Sequence, residues 1–129
     1  MALVAVIDEE PLIRLVLQLA LGDKGHEVET LKDGRALLQR LSHTPVPDVL
    51  FVDLSLPEIS GRSLVEHVHA EPHGKDISIV LLSRSIPAPQ NLPPQGSYHS
   101  VIMKPFLLSE IFSMMSQFSS KNEACLPLH

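Results

Sequence analysis

Four short apolar runs of this chain each end in polar residues suited to phosphoryl chemistry. The runs are followed by the acidic pair Asp8-Glu9, by Asp53, by Ser83 and by Lys104. In an open α/β sheet the carboxyl ends of parallel strands meet at one edge, and ligands bind in the crevice beyond them, so we expect these side chains to lie together. Three carboxylates, a hydroxyl and an ammonium group suit a divalent metal ion and an acyl phosphate.

Asp53 is the strongest candidate for the reacting group. It follows the strand-forming residues 49–52 and precedes the turn Leu56-Pro57, so it is expected at a strand end. A carboxylate can attack phosphorus in line and hold the phosphoryl group as a mixed anhydride. The alternative is an aspartate that only caps a loop, because Asp is favoured in turns.

The adjacent carboxylates of Asp8 and Glu9 would repel each other and raise their proton affinities, and a bound Mg²⁺ would relieve that repulsion. The alternative is that one of them only caps the helix that follows. Glu10 is expected to face solvent in the first helical turn, where a negative charge suits the helix dipole.

Lys104 and Ser83 supply the groups that could bind phosphoryl oxygens. Lys104 precedes Pro105, and a cis bond there would turn the lysine back over the strand ends. Its ammonium group would pair with Asp53 at rest and with a phosphoryl oxygen after transfer. The alternative to these roles is that Lys104 is only an exposed lysine at a strand end and Ser83 only a serine in a loop.

The elements that must position these residues follow from the apolar pattern. Continuous apolar runs indicate strands that are buried on both faces. The segments between these runs have apolar residues at helical spacing, which indicates helices. The predicted class is therefore α/β, a doubly wound five-stranded parallel sheet. The predicted strands are 3–7, 26–31, 49–52, 77–82 and 101–103, and the predicted helices begin near residues 11, 34, 61 and 107, the last ending near 118.

The segment 86–96 does not fit a regular alternation of strands and helices. It holds four prolines where a helix would be expected between the fourth and fifth strands. Proline removes an amide donor and restricts the residue before it. We therefore expect this helix to be replaced or shortened.

Length and composition indicate one domain, residues 1–118, followed by a flexible tail, 119–129. No run is long and apolar enough to predict a membrane span, and the net charge of -5 argues against nucleic-acid binding. The single cysteine, Cys125, agrees with a reducing, cytoplasmic setting.

The combined spacing resembles the receiver domains of bacterial two-component response regulators over residues 2–118. The matching segments are 7–11, 52–61, 82–83 and 103–106, which include Asp8, Asp53, Ser83 and Lys104. The resemblance implies a flavodoxin-like fold. The short chain leads us to expect a stand-alone receiver.

The resemblance also implies a function and a ligand set. A sensor histidine kinase, or a histidine phosphotransfer protein, would transfer a phosphoryl group to Asp53. Asp8 or Glu9, together with Asp53 and the backbone carbonyl of Ser55, would hold Mg²⁺. The phosphoryl oxygens would be bound by Ser83 and Lys104, and an unidentified protein would receive the signal.

The chain departs from the family pattern at three places. The acidic pair is Asp8-Glu9, where the family usually has two aspartates or a glutamate and an aspartate. Val101 stands where the family commonly has an aromatic residue, with Tyr98 and His99 out of register. The proline-rich segment replaces the helix that often forms the output surface.

Three other functions remain open at this stage. A receiver-like binding module that is never phosphorylated would also explain the altered positions. A phosphatase or phosphotransferase usually has a second aspartate two residues after the nucleophile, where this chain has Ser55. A flavodoxin would need a phosphate-binding loop after the first strand. We expect a signalling domain and not a turnover enzyme.

The last helix has more apolar residues than one buried stripe requires, so a homodimer surface there is a further possibility. These residues are Leu107, Leu108, Ile111, Phe112, Met114, Met115 and Phe118.

Overall fold

The computed structural model describes residues 2–124, with side chains described up to Phe118, and this part contains five strands and four α-helices. All strand pairs are parallel, in the order β2-β1-β3-β4-β5. The predicted fold class is confirmed. In chain order the elements are β1 (Leu3–Ile7), α1 (Pro11–Asp23), β2 (Glu27–Leu31), α2 (Gly34–Arg40), β3 (Val49–Asp53), α3 (Gly61–Ala70), β4 (Ser78–Ser83), β5 (Ser100–Met103) and α4 (Leu108–Ala124).

The sheet is covered on both faces, which explains the continuous apolar runs of its central strands. Alternate strand residues face opposite sides, so Phe51 and Val52 lie in different cores. Helices α2 and α3 pack on one face, and α1 and α4 pack on the other. β3 is central and β1 and β4 flank it, so the residues that follow these three strands are neighbours.

The helix starts follow from local chemistry. Pro11 opens α1, where the missing amide hydrogen costs no helical bond. The side chain of Asp33 accepts a hydrogen bond from the backbone of Ala36 and caps α2. Ser60 caps α3 by accepting from the amide of Ser63.

The last helix is longer than predicted. It begins at Leu108 and continues past Phe118 to Ala124, so residues 119–124 of the predicted tail are helical. The sequence of this stretch is polar and has no apolar stripe from which a helix could be predicted. Residues 125–129 of the predicted tail, with Cys125, lie outside the described part of the chain.

The proline-rich segment forms no full helix, as predicted. Its regular structure is a single 3-10 turn, Pro89–Asn91. Leu92 and Tyr98 are partly buried and pack against the core formed with α2 and α3.

Two hydrogen bonds tie the chain between β4 and β5 to α3, one at the proline-rich segment and one just after it. The guanidinium group of Arg62 donates to the carbonyl of Gln90. The Nε2 atom of His69 donates to the carbonyl of Ser97 at 2.6 Å. The chain between β4 and β5 therefore has a defined path along α3, with contacts near both ends of that helix, without being helical itself.

The apolar residues of the last helix are mostly accounted for by packing. Ile111, Met115 and Phe118 are buried beneath the sheet, whereas Leu107 and Leu108 are exposed. The homodimer stays a prediction, and the apolar surface available for it is smaller than the sequence indicates, because three of the seven residues are buried within the domain. Among the helices of the described residues, none has the length and apolarity needed to cross a membrane.

Candidate functional site

Asp53 lies at the carboxyl end of the central strand β3, and its residue surface is 1% exposed. One carboxylate oxygen, Oδ1, accepts a hydrogen bond from the amide of Ser55 at 2.9 Å. The other, Oδ2, lies 3.5 Å from Nζ of Lys104. One oxygen is therefore held by the loop that follows the strand, and the other faces a cation.

Asp8 follows β1 and is fully buried beside Asp53. Its Oδ1 accepts from the amide of Glu10 at 2.9 Å, and its Oδ2 lies 2.7 Å from Nζ of Lys104. Arg14 also donates to the backbone carbonyl of Asp8 at 2.6 Å. Burial raises the pKa of Asp8, and the charge of Asp53 adds to this effect, although the hydrogen bond from Lys104 opposes it.

Lys104 lies at the centre of the cluster, with a side chain only 6% exposed. Its Nζ is 2.7 Å from Asp8, 3.3 Å from Glu10 and 3.5 Å from Asp53. Burial by itself would lower the pKa of Lys104, but the hydrogen bond to Asp8 and the charges of Asp53 and Asp8 more than offset it, so the pKa is raised. The lysine is therefore a cation at neutral pH. The bond to Pro105 is cis.

The two glutamates after Asp8 lie in unexpected places. Glu9 is exposed and makes none of the ion pairs described for this cluster. Glu10, predicted to face solvent, is partly exposed, but its carboxylate also turns towards the site. Its Oε1 contacts Nζ of Lys104 and accepts hydrogen bonds from the guanidinium group of Arg84.

The position of Glu10 has a simple physical reason. Glu10 is the cap residue of α1, so its extended backbone directs the side chain across the strand ends instead of along the helix. Two cations are found there, and the hydrogen bond from Arg84 and the charge of Lys104 lower the pKa of Glu10. Arg84 follows Ser83 directly and was the residue that sequence reasoning missed. Its position immediately after a predicted strand end was the available signal.

Ser83 ends β4 at the same edge and is buried. Its hydroxyl donates to the carbonyl of Ser85 at 2.6 Å. Its own carbonyl accepts from the amide of Lys104 at 2.7 Å, which joins the ends of β4 and β5. The hydroxyl therefore lies at the site but is bound to its own loop.

Val101, where an aromatic residue is usual, is partly buried against the core formed with α2 and α3, and Tyr98 packs against the same core. His99 contacts the ring of Phe118 edge-on and donates from Nε2 to Gln117 at 3.0 Å. The aromatic residues beside Val101 are therefore held away from Ser83 by other partners.

The residues present fit a divalent cation with oxygen ligands. Within residues 2–124, no group of three or more His, Cys, Asp or Glu residues is arranged to hold a metal ion. Mg²⁺, however, usually takes one or two carboxylates and keeps several waters. Asp8 Oδ2 is buried, and its contact is the charged pair with Nζ of Lys104 at 2.7 Å. That oxygen and the carboxylate of Asp53 are suitable donors for such an ion, and Asp8, Glu9, Asp53 and the carbonyl of Ser55 as ligands stay predictions.

The comparisons agree with this geometry. The family model described as "Response regulator receiver domain" matches residues 4–116. The transcriptional regulatory protein KdpE of Mycobacterium tuberculosis is 29% identical over 128 residues, which is 99% of this chain and 55% of the relative. The chain thus spans about half the length of the curated relatives it matches.

Solved structures give the same result. The response regulator TrrA of Thermotoga maritima, in complex with Mg²⁺-BeF, matches with a TM-score of 0.78 and 25% identity over 91% of this chain and 98% of that one. A complex of the histidine kinase ThkA with TrrA matches with a TM-score of 0.77 and 24% identity, over 91% and 97%. The buried aspartates, the lysine and the matched family model lead to one conclusion: this chain belongs to the response regulator receiver domain family, as its sequence predicts.

Proposed function

We propose that the chain accepts a phosphoryl group on Asp53 in a Mg²⁺-dependent reaction. The observation that carries the proposal is the carboxylate of Asp53, which is buried, held at Oδ1 by Ser55 and directed at Oδ2 towards Lys104. A carboxylate fixed in this way is oriented for in-line attack.

In the proposed transfer a carboxylate oxygen of Asp53 forms a bond to phosphorus as the P–N bond of a phosphohistidine breaks. The bonding electron pair stays on the imidazole nitrogen, and Asp53 becomes an acyl phosphate. Lys104, held as a cation by its carboxylate neighbours, stabilises the charge on the phosphoryl oxygens. When bound, Mg²⁺ would supply further positive charge to the same oxygens.

The proposed donor is a sensor histidine kinase or a histidine phosphotransfer protein, and the chain would signal by contact with a downstream protein. Support comes from TrrA, which was solved in complex with a histidine kinase and, separately, with Mg²⁺-BeF. In this proposal the chain is a signalling domain and not a turnover enzyme. A cytoplasmic location is part of the proposal, and the single cysteine agrees with a reducing compartment.

The test is incubation with acetyl phosphate and Mg²⁺, followed by intact mass measurement. We expect wild type to gain the mass of one phosphoryl group, and Asp53→Asn and wild type in EDTA to gain none. Asp76→Asn is the matched control, because Asp76 is exposed in the loop before β4, at the opposite edge of the sheet. No adduct on wild type, or an equal adduct on Asp53→Asn, would refute the proposal.

A second candidate is a receiver-like module that binds its partner without phosphorylation. The observation that favours it is the carboxylate of Glu10 beside Lys104, where a phosphoryl oxygen would otherwise lie. This candidate predicts no adduct in the same experiment and no change in the NMR spectrum with beryllofluoride.

A further inference from the structure

The carboxylate of Glu10 lies between two cations at the mouth of the site. Its Oε1 is 3.3 Å from Nζ of Lys104 and accepts from Nε of Arg84 at 2.9 Å, with Nη2 of the same guanidinium group also in contact. Glu10 and Arg84 are 74 residues apart, on the loops that follow β1 and β4. One oxygen of Glu10 thus joins Lys104 to a second cation, the guanidinium group of Arg84.

Both members of this pair are accessible from solvent. The side chain of Arg84 is 59% exposed and that of Glu10 is 32% exposed. Ion pairs at such positions contribute little to stability, so this contact can be exchanged for a stronger one. In contrast, the Asp8–Lys104 pair beneath it is buried.

A phosphoryl group on Asp53 would change the charge around Glu10. A phosphate group has between one and two negative charges near neutral pH, and its oxygens are strong acceptors. A guanidinium group therefore binds two phosphate oxygens more strongly than it binds one carboxylate oxygen. Lys104 and Arg84 already share one oxygen of Glu10. A phosphoryl oxygen that binds Lys104 would therefore lie close to the guanidinium group of Arg84. Its negative charge would repel the carboxylate of Glu10.

We propose that Glu10 and Arg84 form a charge-exchange pair: Glu10 holds Arg84 and shares Lys104 before phosphorylation, and Arg84 leaves Glu10 for the phosphoryl oxygens afterwards. The inference rests on the proposed function, since it requires the phosphoryl group on Asp53. Glu10 acts as a positioning residue that also repels anionic donors.

The exchange has a structural path to the surface. Arg84 continues into Ser85, whose carbonyl holds the hydroxyl of Ser83, and then into the exposed Ile86 and the proline-rich segment. Movement of Arg84 towards Asp53 therefore displaces the start of that segment. This path does not use the position of Val101.

The variants Glu10→Gln, Arg84→Gln and the double variant test the pair, with Lys75→Gln as the charge control, because Lys75 is exposed in the loop before β4. With acetyl phosphate and Mg²⁺, we expect Glu10→Gln to raise the phosphorylation rate by about threefold to fivefold and Arg84→Gln to lower it by a similar factor, the size that partly exposed ion pairs produce. Lys75→Gln should match wild type.

A spectroscopic measurement separates exchange from a purely structural role. In NMR spectra we expect the Nε–Hε signal of Arg84 to shift when Mg²⁺ and beryllofluoride are added to wild type. The signal should already be displaced in unliganded Glu10→Gln, and Arg84→Lys, which keeps the charge without the fork, should restore only part of the rate.

The two proposals fail in different ways. If wild type forms an adduct but both variants react at the wild-type rate, or the Arg84 signal does not move with beryllofluoride, the charge-exchange pair is refuted and phosphorylation of Asp53 stands. If wild type forms no adduct, both are refuted.

Discussion

Three carboxylates contact one ammonium group, that of Lys104, at the carboxyl edge of the sheet. Asp8 is the most deeply buried of the three and has a raised pKa, mainly because burial disfavours its charge. The site therefore stores unfavourable electrostatic energy in Asp8, which is typical of functional positions. A cation bound beside Asp8 would relieve this unfavourable energy and would therefore bind more tightly.

Asp8→Asn should raise the free energy of unfolding at neutral pH in EDTA. The amide keeps the acceptor for the Glu10 amide hydrogen without the buried charge, and Lys104 keeps Asp53 and Glu10 as partners. Because the folded pKa of Asp8 lies above 3.8, the charge penalty is present above the folded pKa and disappears as the pH falls towards 3.8. The gain should therefore shrink on acidification.

Urea unfolding of wild type, Asp8→Asn and the exposed control Asp76→Asn across this pH range measures the effect. A variant no more stable than wild type at neutral pH, or a gain that grows as the pH falls, would contradict it.

The sequence predicted which strand ends carry the acidic and basic residues, and Asp8, Asp53, Ser83 and Lys104 do lie at one edge. Strand periodicity and parallel topology were sufficient for this. The position of Glu10 could not be predicted, because it depends on Arg84, a residue 74 positions away whose side chain arrives only when β1 and β4 are in place.

At the scale of elements, the junction between β3 and α3 fixes the position of Asp53. Gly61 begins α3, and a Cβ atom there would lie 2.7 Å from Cα of Leu54 and 2.9 Å from the carbonyl oxygen of Asp53. Its amide also donates to the carbonyl of Leu54 at 3.2 Å. The absence of a side chain thus lets α3 approach the backbone of the reacting residue.

Gly61→Ala should lower the free energy of unfolding by about 1 to 3 kcal/mol, the usual cost of overpacking, and slow the labelling of Asp53 by acetyl phosphate. Gly22→Ala is the matched control, since nothing lies within 4 Å of a Cβ in that turn of α1. We expect it to raise stability by roughly 0.5 to 1 kcal/mol through helix propensity. Denaturant unfolding measures both, and equal effects of the two substitutions would be inconsistent with the close approach.

Element types were predictable and their ends less so. β1 has the predicted bounds, and the other strands differ by one residue at one or both ends. The hydrogen-bonded ladder adds the polar residues Asp53, Ser83 and Ser100, whereas His26 and Ile77 lie just before β2 and β4. The missing helix was predictable from proline chemistry. The extension of α4 to Ala124 was not, since its last turns are polar.

At the scale of the whole molecule, stability and ligand binding are linked. The predicted donor groups come from the ends of β1 and β3, so a cation held by them would require the central strands to be in register. The same ion cannot find this arrangement in the unfolded chain. Binding should therefore stabilise the entire domain.

Adding Mg²⁺ should raise the melting temperature of wild type, by an amount equivalent to about 2.7 kcal/mol at a hundred times the dissociation constant. The increase should be smaller in Asp53→Asn, which lacks one donor. Differential scanning calorimetry at constant ionic strength measures this, with Na⁺ replacing Mg²⁺ as the control. An equal increase in both proteins would mean that the ion binds elsewhere.

The proline-rich segment and the residue that follows it are attached to the rest of the molecule through α3. Both hydrogen bonds that tie this region to α3 are accepted by backbone carbonyls, that of Gln90 in the segment and that of Ser97 just after it, while the donors Arg62 and His69 belong to the helix. Any amino acid supplies a carbonyl, so residues 90 and 97 can be exchanged without loss of these anchors. These two anchors therefore tolerate substitution at residues 90 and 97, whereas the packing of Leu92 against the core still requires an apolar side chain.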